Sequence, residues 1–128
     1  MSQVNFEHLF TPLQVGPMRV PNRICETTNT INSSMTPGMI DDHFIAHHAA
    51  KARGGTGWIG SETWLLKVPF PPETPDEVGL SIGCAAHATS YQFPAFAEGM
   101  KKFVDEVHKA GSVAIVQLTQ LTSAWGPS

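Results

Sequence analysis

The sequence has no surplus of basic residues. Eight Lys and Arg stand against eleven Asp and Glu, a formal net charge of -3 over 128 residues. A nucleic-acid partner would usually demand a basic face, so none is expected. No apolar run approaches the ~20 residues that span a bilayer, which removes a transmembrane helix and with it a membrane partner. The opening MSQVNFEHLF has neither the basic start nor the long apolar stretch of a secretory signal. Cysteine is scarce, and Cys25 and Cys84 sit in unrelated contexts without metal-ligand spacing. They read as reduced thiols of a cytoplasmic protein rather than as a disulfide or a ligand pair. The length sets a ceiling of one domain.

What is present is a regular alternation of elements. Leu13, Val15, Met18 and Val20 flank Gly16-Pro17 with alternating polarity, which predicts a small β-hairpin. Residues 24–27 continue as a short strand. A loop marked by Pro37-Gly38 leads to Asp41, a good helix N-cap. In DDHFIAHHAAKARGG, Phe44, Ile45, His48, Ala49 and Ala52 fall on one helical stripe. Lys51 and Arg53 suit the carboxyl end of that helix, and Gly54-Gly55 stop it. GWIGSET, mostly apolar and without polar alternation, predicts a strand covered on both faces.

Residues 64–92 make a long excursion with Pro69, Pro71, Pro72 and Pro75, of a length that is usually functional or mobile. Pro94 suits the first turn of a second helix. Phe96, Met100, Phe103, Val104 and Val107 make its apolar face, and Lys101 with Asp105, Lys102 with Glu106 and Asp105 with Lys109 make a solvated charged one. Gly111 ends it, and SVAIVQL follows as a third buried strand. The order β-α-β-α-β implies parallel pairing with right-handed crossovers. With no helix after the third strand, an apolar face and a sheet edge would stay uncovered. A portion of a larger α/β structure is favoured over a small complete α/β domain.

In parallel α/β folds, ligands gather at the carboxyl ends of the strands. Those ends carry Thr27, Thr28, Asn29 and Thr30, then Ser61, Glu62 and Thr63, then Gln117, Thr119 and Gln120. The set has few charges, so it suits a large neutral heterocycle better than a metal ion or a bare phosphate. Glu62 is its one carboxylate, and it holds no His, which leaves hydrolytic triads and paired-carboxylate mechanisms without support. Thr in strands and Thr/Asn/Ser clusters in turns are an equally good account of the same residues.

Three segments, LFTPLQVGPMRVPNRICETTNT, ARGGTGWIGSETW and FVDEVHKAGSVAIVQLTQ, occur in order, each on a predicted strand. Together they resemble the amino-terminal third of the old yellow enzyme family of flavin-dependent oxidoreductases. MTPGMIDDHFIAHHAAKARGG and the long loop lean toward the branch of trimethylamine dehydrogenase and 2,4-dienoyl-CoA reductase. The resemblance implies an FMN-binding (β/α)8 TIM barrel, of which residues 1–128 would hold the bottom hairpin and three of eight units. It places Thr28, Asn29 and Thr30 against the flavin ring, with Thr30 near the O4/N5 edge. Thr63 would offer backbone contact to that edge. Gln117 would meet the pyrimidine end, where a carboxamide can both donate and accept; the alternative is a strand-end amide satisfying nearby backbone.

Departures from the family pattern also inform. The family often has a small residue and Pro where Thr27-Thr28 stands, and a His or Trp soon after Gln117 is replaced within LTQLTS. Trimethylamine dehydrogenases carry a flavin-linked cysteine at the place of Thr30, so FMN here would be non-covalent. By the same resemblance, NAD(P)H is a candidate electron donor. The substrate-anchoring pair, the proton-donating tyrosine, and any iron–sulfur cluster or FAD would lie in parts beyond this chain. The activity implied is hydride transfer through flavin N5 to or from an activated C=C or C–N/C–H group of a small-molecule substrate, with enoyl or dienoyl reduction favoured. The alternative is a non-catalytic subunit or split half that completes a barrel with a companion chain. An open barrel edge makes an oligomer expected in either case.

The remaining candidates have plainer readings. His43 and His47, four apart on a helix, lack the Glu and third ligand of a zinc site and read as solvated. His48, on the apolar stripe, reads as a packed, hydrogen-bonded core histidine. Trp58 reads as core, whereas Trp64, at the start of the long loop, is a candidate for an active-site rim. Glu62 is divided between a ligand contact and a structural hydrogen bond.

Overall fold

The computed structural model describes residues 6–29, 31, 34–35, 39–65, 87–88 and 94–119. A short helix α1 (Glu7–Phe10) precedes the hairpin of β1 (Leu13–Val15) and β2 (Met18–Val20). Its strands are antiparallel, with Leu13 opposite Val20 and Val15 opposite Met18 across the expected Gly16-Pro17 turn. The Arg23 amide then donates to Leu9 O at 2.8 Å and ties α1 to the start of the main sheet.

That sheet holds β3 (Cys25–Glu26), β4 (Trp58–Leu65), β5 (His87–Ala88) and β6 (Val113–Thr119). Every pairing described in it is parallel. Trp58 lies between Cys25 and Val113, and Trp64 between His87 and Leu118. Since a strand has two edges, β3 and β5 share one side of β4 and β6 takes the other. The small β5 was not expected from the sequence; most of the remaining excursion, Cys84 included, lies outside the described residues.

Helix α2 (Asp42–Arg53) connects β3 to β4. Asp41 caps it as expected, Oδ1 accepting from the Phe44 amide at 2.9 Å. Its Oδ2 accepts from Ser34 Oγ at 2.9 Å and from the Met35 amide at 2.7 Å, so one carboxylate fixes both the helix start and the loop before it. The buried face is the predicted stripe of Phe44, Ile45, His48, Ala49 and Ala52. Helix α3 (Pro94–Lys109) leads into β6 and buries Phe96, Gly99, Phe103 and Val107, with Met100 and Val104 packed at the margin. On its outer face Lys101 pairs with Asp105 as expected, but Lys109 reaches back to Glu106, three residues away, at 3.4 Å.

Both helices press onto one face of the sheet. Phe44 is the centre of the core, in contact with Phe103 (ring centroids 5.4 Å apart), Trp64 (5.8 Å) and His48 (4.4 Å). Trp64 also meets Phe96 edge-on at 5.2 Å. Trp64 is therefore a core residue, fully buried within β4, and not a loop residue at a rim. Trp58 is only half-buried, on the opposite face. The strand runs two residues past Thr63, where the sequence was read as passing into the long excursion. β6 also departs from expectation: Val116 and Leu118 are 38% and 58% exposed, so this strand is covered at its start and open toward its end. Among the described residues, no helix is long and apolar enough to cross a membrane.

Two substitutions rank these contributions. Phe103→Ala should cost about 3–5 kcal/mol, the usual range for an aromatic core truncation. Asp41→Ala should cost about 1 kcal/mol through the lost cap. Denaturant unfolding of the intact protein checks both, and a smaller loss for Phe103 than for Asp41 would contradict the core described.

Candidate functional site at the carboxyl ends of the parallel strands

β3, β4 and β6 start in register, with Cys25, Trp58 and Val113 side by side. Their carboxyl ends therefore emerge at one edge of the sheet. Which face each side chain takes follows from alternation. Ile59 and Trp64 both enter the core beneath the helices. They are five residues apart, and an uninterrupted strand would send them to opposite faces. A bulge resolves the conflict: β4 advances three residues from Gly60 to Thr63 while β6 advances two, from Ile115 to Gln117. The extra residue resets the parity. Thr63 and Gln117 become direct partners on the face turned away from the helices.

The bulge itself is fully buried at Ser61 and Glu62. Ser61 Oγ donates to Glu62 O at 2.8 Å and accepts from Trp64 Nε1 at 3.2 Å, so these polar atoms are matched inside the fold. Ser61 and Glu62 are thus mid-strand residues rather than exposed strand-end groups.

The exit of β3 is placed by close contact with Gly60. A Cβ at Gly60 would lie 2.8 Å from Glu26 O and 2.9 Å from the Thr28 N, closer than real Cβ contacts allow. The backbone of residues 26–28 thus rests directly on β4. Thr28 is half-buried there and Asn29 is exposed; Thr30, the third expected contact on this segment, lies outside the described residues. Thr63 is half-buried and Gln117 exposed, as a group open to a ligand must be. Thr28, Thr63 and Gln117 accordingly gather at one edge of the sheet.

A charged cluster below this edge was missed by the sequence reading. Glu26 points toward α2, where Oε1 accepts from Lys51 Nζ and Oε2 lies 3.5 Å from His48 Nδ1. His48 is buried as expected, but its hydrogen bonding is incomplete: among the described residues Nε2 has no partner, and Phe103 stacks edge-on at 5.7 Å. His47, read as solvated, is half-buried, and its Nε2 too lacks a described partner. Burial pushes the His48 pKa below its ordinary 6.5, outweighing the opposing pull of Glu26. The available signal was Glu26 itself, a carboxylate in a strand whose register neighbour is the core residue Ile59. No group of three or more His, Cys, Asp or Glu among the described residues could hold a metal, and Cys25 is a free, exposed thiol.

Comparison with known proteins gives this edge a context. The sequence profile of the NADH:flavin oxidoreductase / NADH oxidase family matches residues 8–125. The chain is 25% identical over 119 residues to an N,N-dimethylglycine/sarcosine dehydrogenase of Chromohalobacter salexigens, covering 91% of this chain and 15% of that one. It is 25% identical over 114 residues to an NADH oxidase of Thermoanaerobacter brockii, covering 89% and 16%. An old yellow enzyme from Pichia sp. AKU4542 superposes with a TM-score of 0.67 at 24% identity, over 89% of this chain and 26% of that one. The likeness in shape is to one side of a TIM barrel, and the chain spans about a sixth of the curated relatives it matches.

The burial of His48 makes stability pH-dependent. With its folded pKa below 6.5, its contribution is complete above that value and is lost as pH falls from 6.5 toward the folded pKa. Unfolding followed at a series of pH values should show stability dropping through this window, and His48→Gln should flatten the drop. An equal drop in the variant would assign it to other groups.

Proposed function

Since this chain belongs to the NADH:flavin oxidoreductase / NADH oxidase family, we propose that its strand-end groups hold FMN non-covalently as part of a flavin-dependent oxidoreductase. The observation that carries this reading is the pairing of Thr63 with Gln117 on the sheet face turned away from the helices. The donor set fits the cofactor chemically. A flavin's pyrimidine end alternates carbonyls with N–H groups, and the exposed Gln117 carboxamide can answer one of each. Thr63 stands beside it, and Thr28 and Asn29, delivered by the contact at Gly60, would lie along the ring. Thr30 would meet the O4/N5 edge, where a hydroxyl donor stabilises added electron density.

Bound FMN supplies hydride transfer to or from an activated C=C or a C–N/C–H carbon. This chain's residues bind and orient the ring, and the packed strands beneath them keep water from one side of it. Reduction of an enoyl- or dienoyl-type small molecule is the favoured direction, with NAD(P)H as electron donor. The dehydrogenase among the relatives makes amine oxidation the competing one. Since the chain covers 15–16% of those relatives, the substrate-binding groups would come from further β/α units. The exposed Val116 and Leu118 on β6 favour a unit packing there, whether from the same polypeptide or a companion subunit. Residues 1–128 would then be the amino-terminal part of the barrel, incomplete alone.

Purification of the intact protein, with any companion subunit, should give a yellow eluate with flavin absorbance. Gln117→Leu should weaken flavin retention roughly tenfold, the effect of leaving one buried polar partner unanswered. A colourless wild-type protein that ignores added FMN would sink the reading. Unchanged affinity in the Leu variant would remove Gln117 from the site.

A further inference from the structure

The layer between a parallel sheet and its helices is normally apolar, and a lone carboxylate there is costly. Glu26 nevertheless occupies it, 15% exposed, its oxygens divided between Lys51 and His48. With His48 neutral, Glu26 and Lys51 cancel. Protonation of His48 would leave the group one charge positive. The groups facing His48 are Glu26 from β3, Lys51, His47 and Phe44 from α2, and Phe103 from α3. Glu26 precedes Thr28 by two residues, about 7 Å along the chain. A charge left uncompensated here would act from a largely buried position close to the exit of β3.

We infer that Glu26, Lys51 and His48 are a charge-balanced cluster that tunes the electron affinity of a flavin held at the strand ends above it. This rests on the FMN reading and adds to it residues that need not touch the cofactor. Reduction adds negative charge to a flavin. A bare cation below the ring therefore favours the reduced form, and a bare anion disfavours it.

The test is a set of three variants in the flavin-loaded intact protein at pH 8, where His48 is neutral. E26Q is isosteric and leaves Lys51 alone; the reduction potential should rise. K51M alters a side chain already 37% exposed and leaves Glu26 alone; the potential should fall. Each change should shift the oxidised-to-reduced ratio at fixed poise by roughly three- to tenfold. E26Q/K51M should return it to the wild-type value. A merely structural role would move both single variants the same way and would not be repaired in the double.

A second readout needs no flavin. NMR titration should show the His48 pKa falling further in E26Q and rising in K51M. Unshifted potentials in variants that retain flavin, or shifts of one sign, overturn the cluster's role while leaving the FMN reading intact. A wild-type protein that binds no flavin overturns both.

Discussion

The structure depends on β4 being hydrogen-bonded along both edges in parallel register. Its first residues lie between β3 and β6, and its last between β5 and β6. On its helix side this central strand is covered, and its side chains reach the core there at Ile59 and Trp64. Because the pairing is parallel, every neighbouring strand ends on the same side of the molecule. The gathering of polar groups at one edge follows from that constraint rather than from any attraction among the groups.

Within that frame, two local features shape the sheet edge into a candidate site. The bulge at Ser61 and Glu62 changes the parity of β4, so that Trp64 enters the core and Thr63 faces away from it beside Gln117. The absence of a side chain at Gly60 lets the exit of β3 lie directly on β4. Neither feature is itself chemical, yet each decides whether a hydroxyl or amide is available to a ligand. The Glu26–Lys51–His48 cluster is of another kind. It places ionisable groups where apolar ones would pack more cheaply, and it bonds β3 to α2 just before the strand emerges.

Much of this was legible from the chain. The hairpin, the Asp41 cap, the buried stripe of α2, the start of α3 at Pro94 and the strand beginning near Val113 all appear where periodicity and turn chemistry put them. The order of elements also implied the parallel pairing that is observed, although Ser61 and Glu62, read as strand-end groups, are buried in mid-strand. Trp64 was misjudged because the strand was expected to end at Thr63, whereas β4 runs on to Leu65 and a one-residue bulge, which leaves no mark in a sequence, turns Trp64 into the core. The Glu26 cluster was missed because its members are 22 and 25 residues apart and meet only through the crossover. The partner of Lys109 was misplaced because residues three and four apart compete for the same helix surface.

The sequence alone determined the kind and order of the main elements, though not the short α1 and β5, through the spacing of apolar residues and the placement of Pro, Gly and Asp, all short-range properties of the chain. It also supplied the resemblance to a flavin-binding family, now matched across residues 8–125. Which face each strand residue occupies, which acid meets which base, and how closely β3 rests on β4 were decided by tertiary structure. Those outcomes depend on register and on contacts between segments far apart in the chain, where a shift of one residue reverses every side chain.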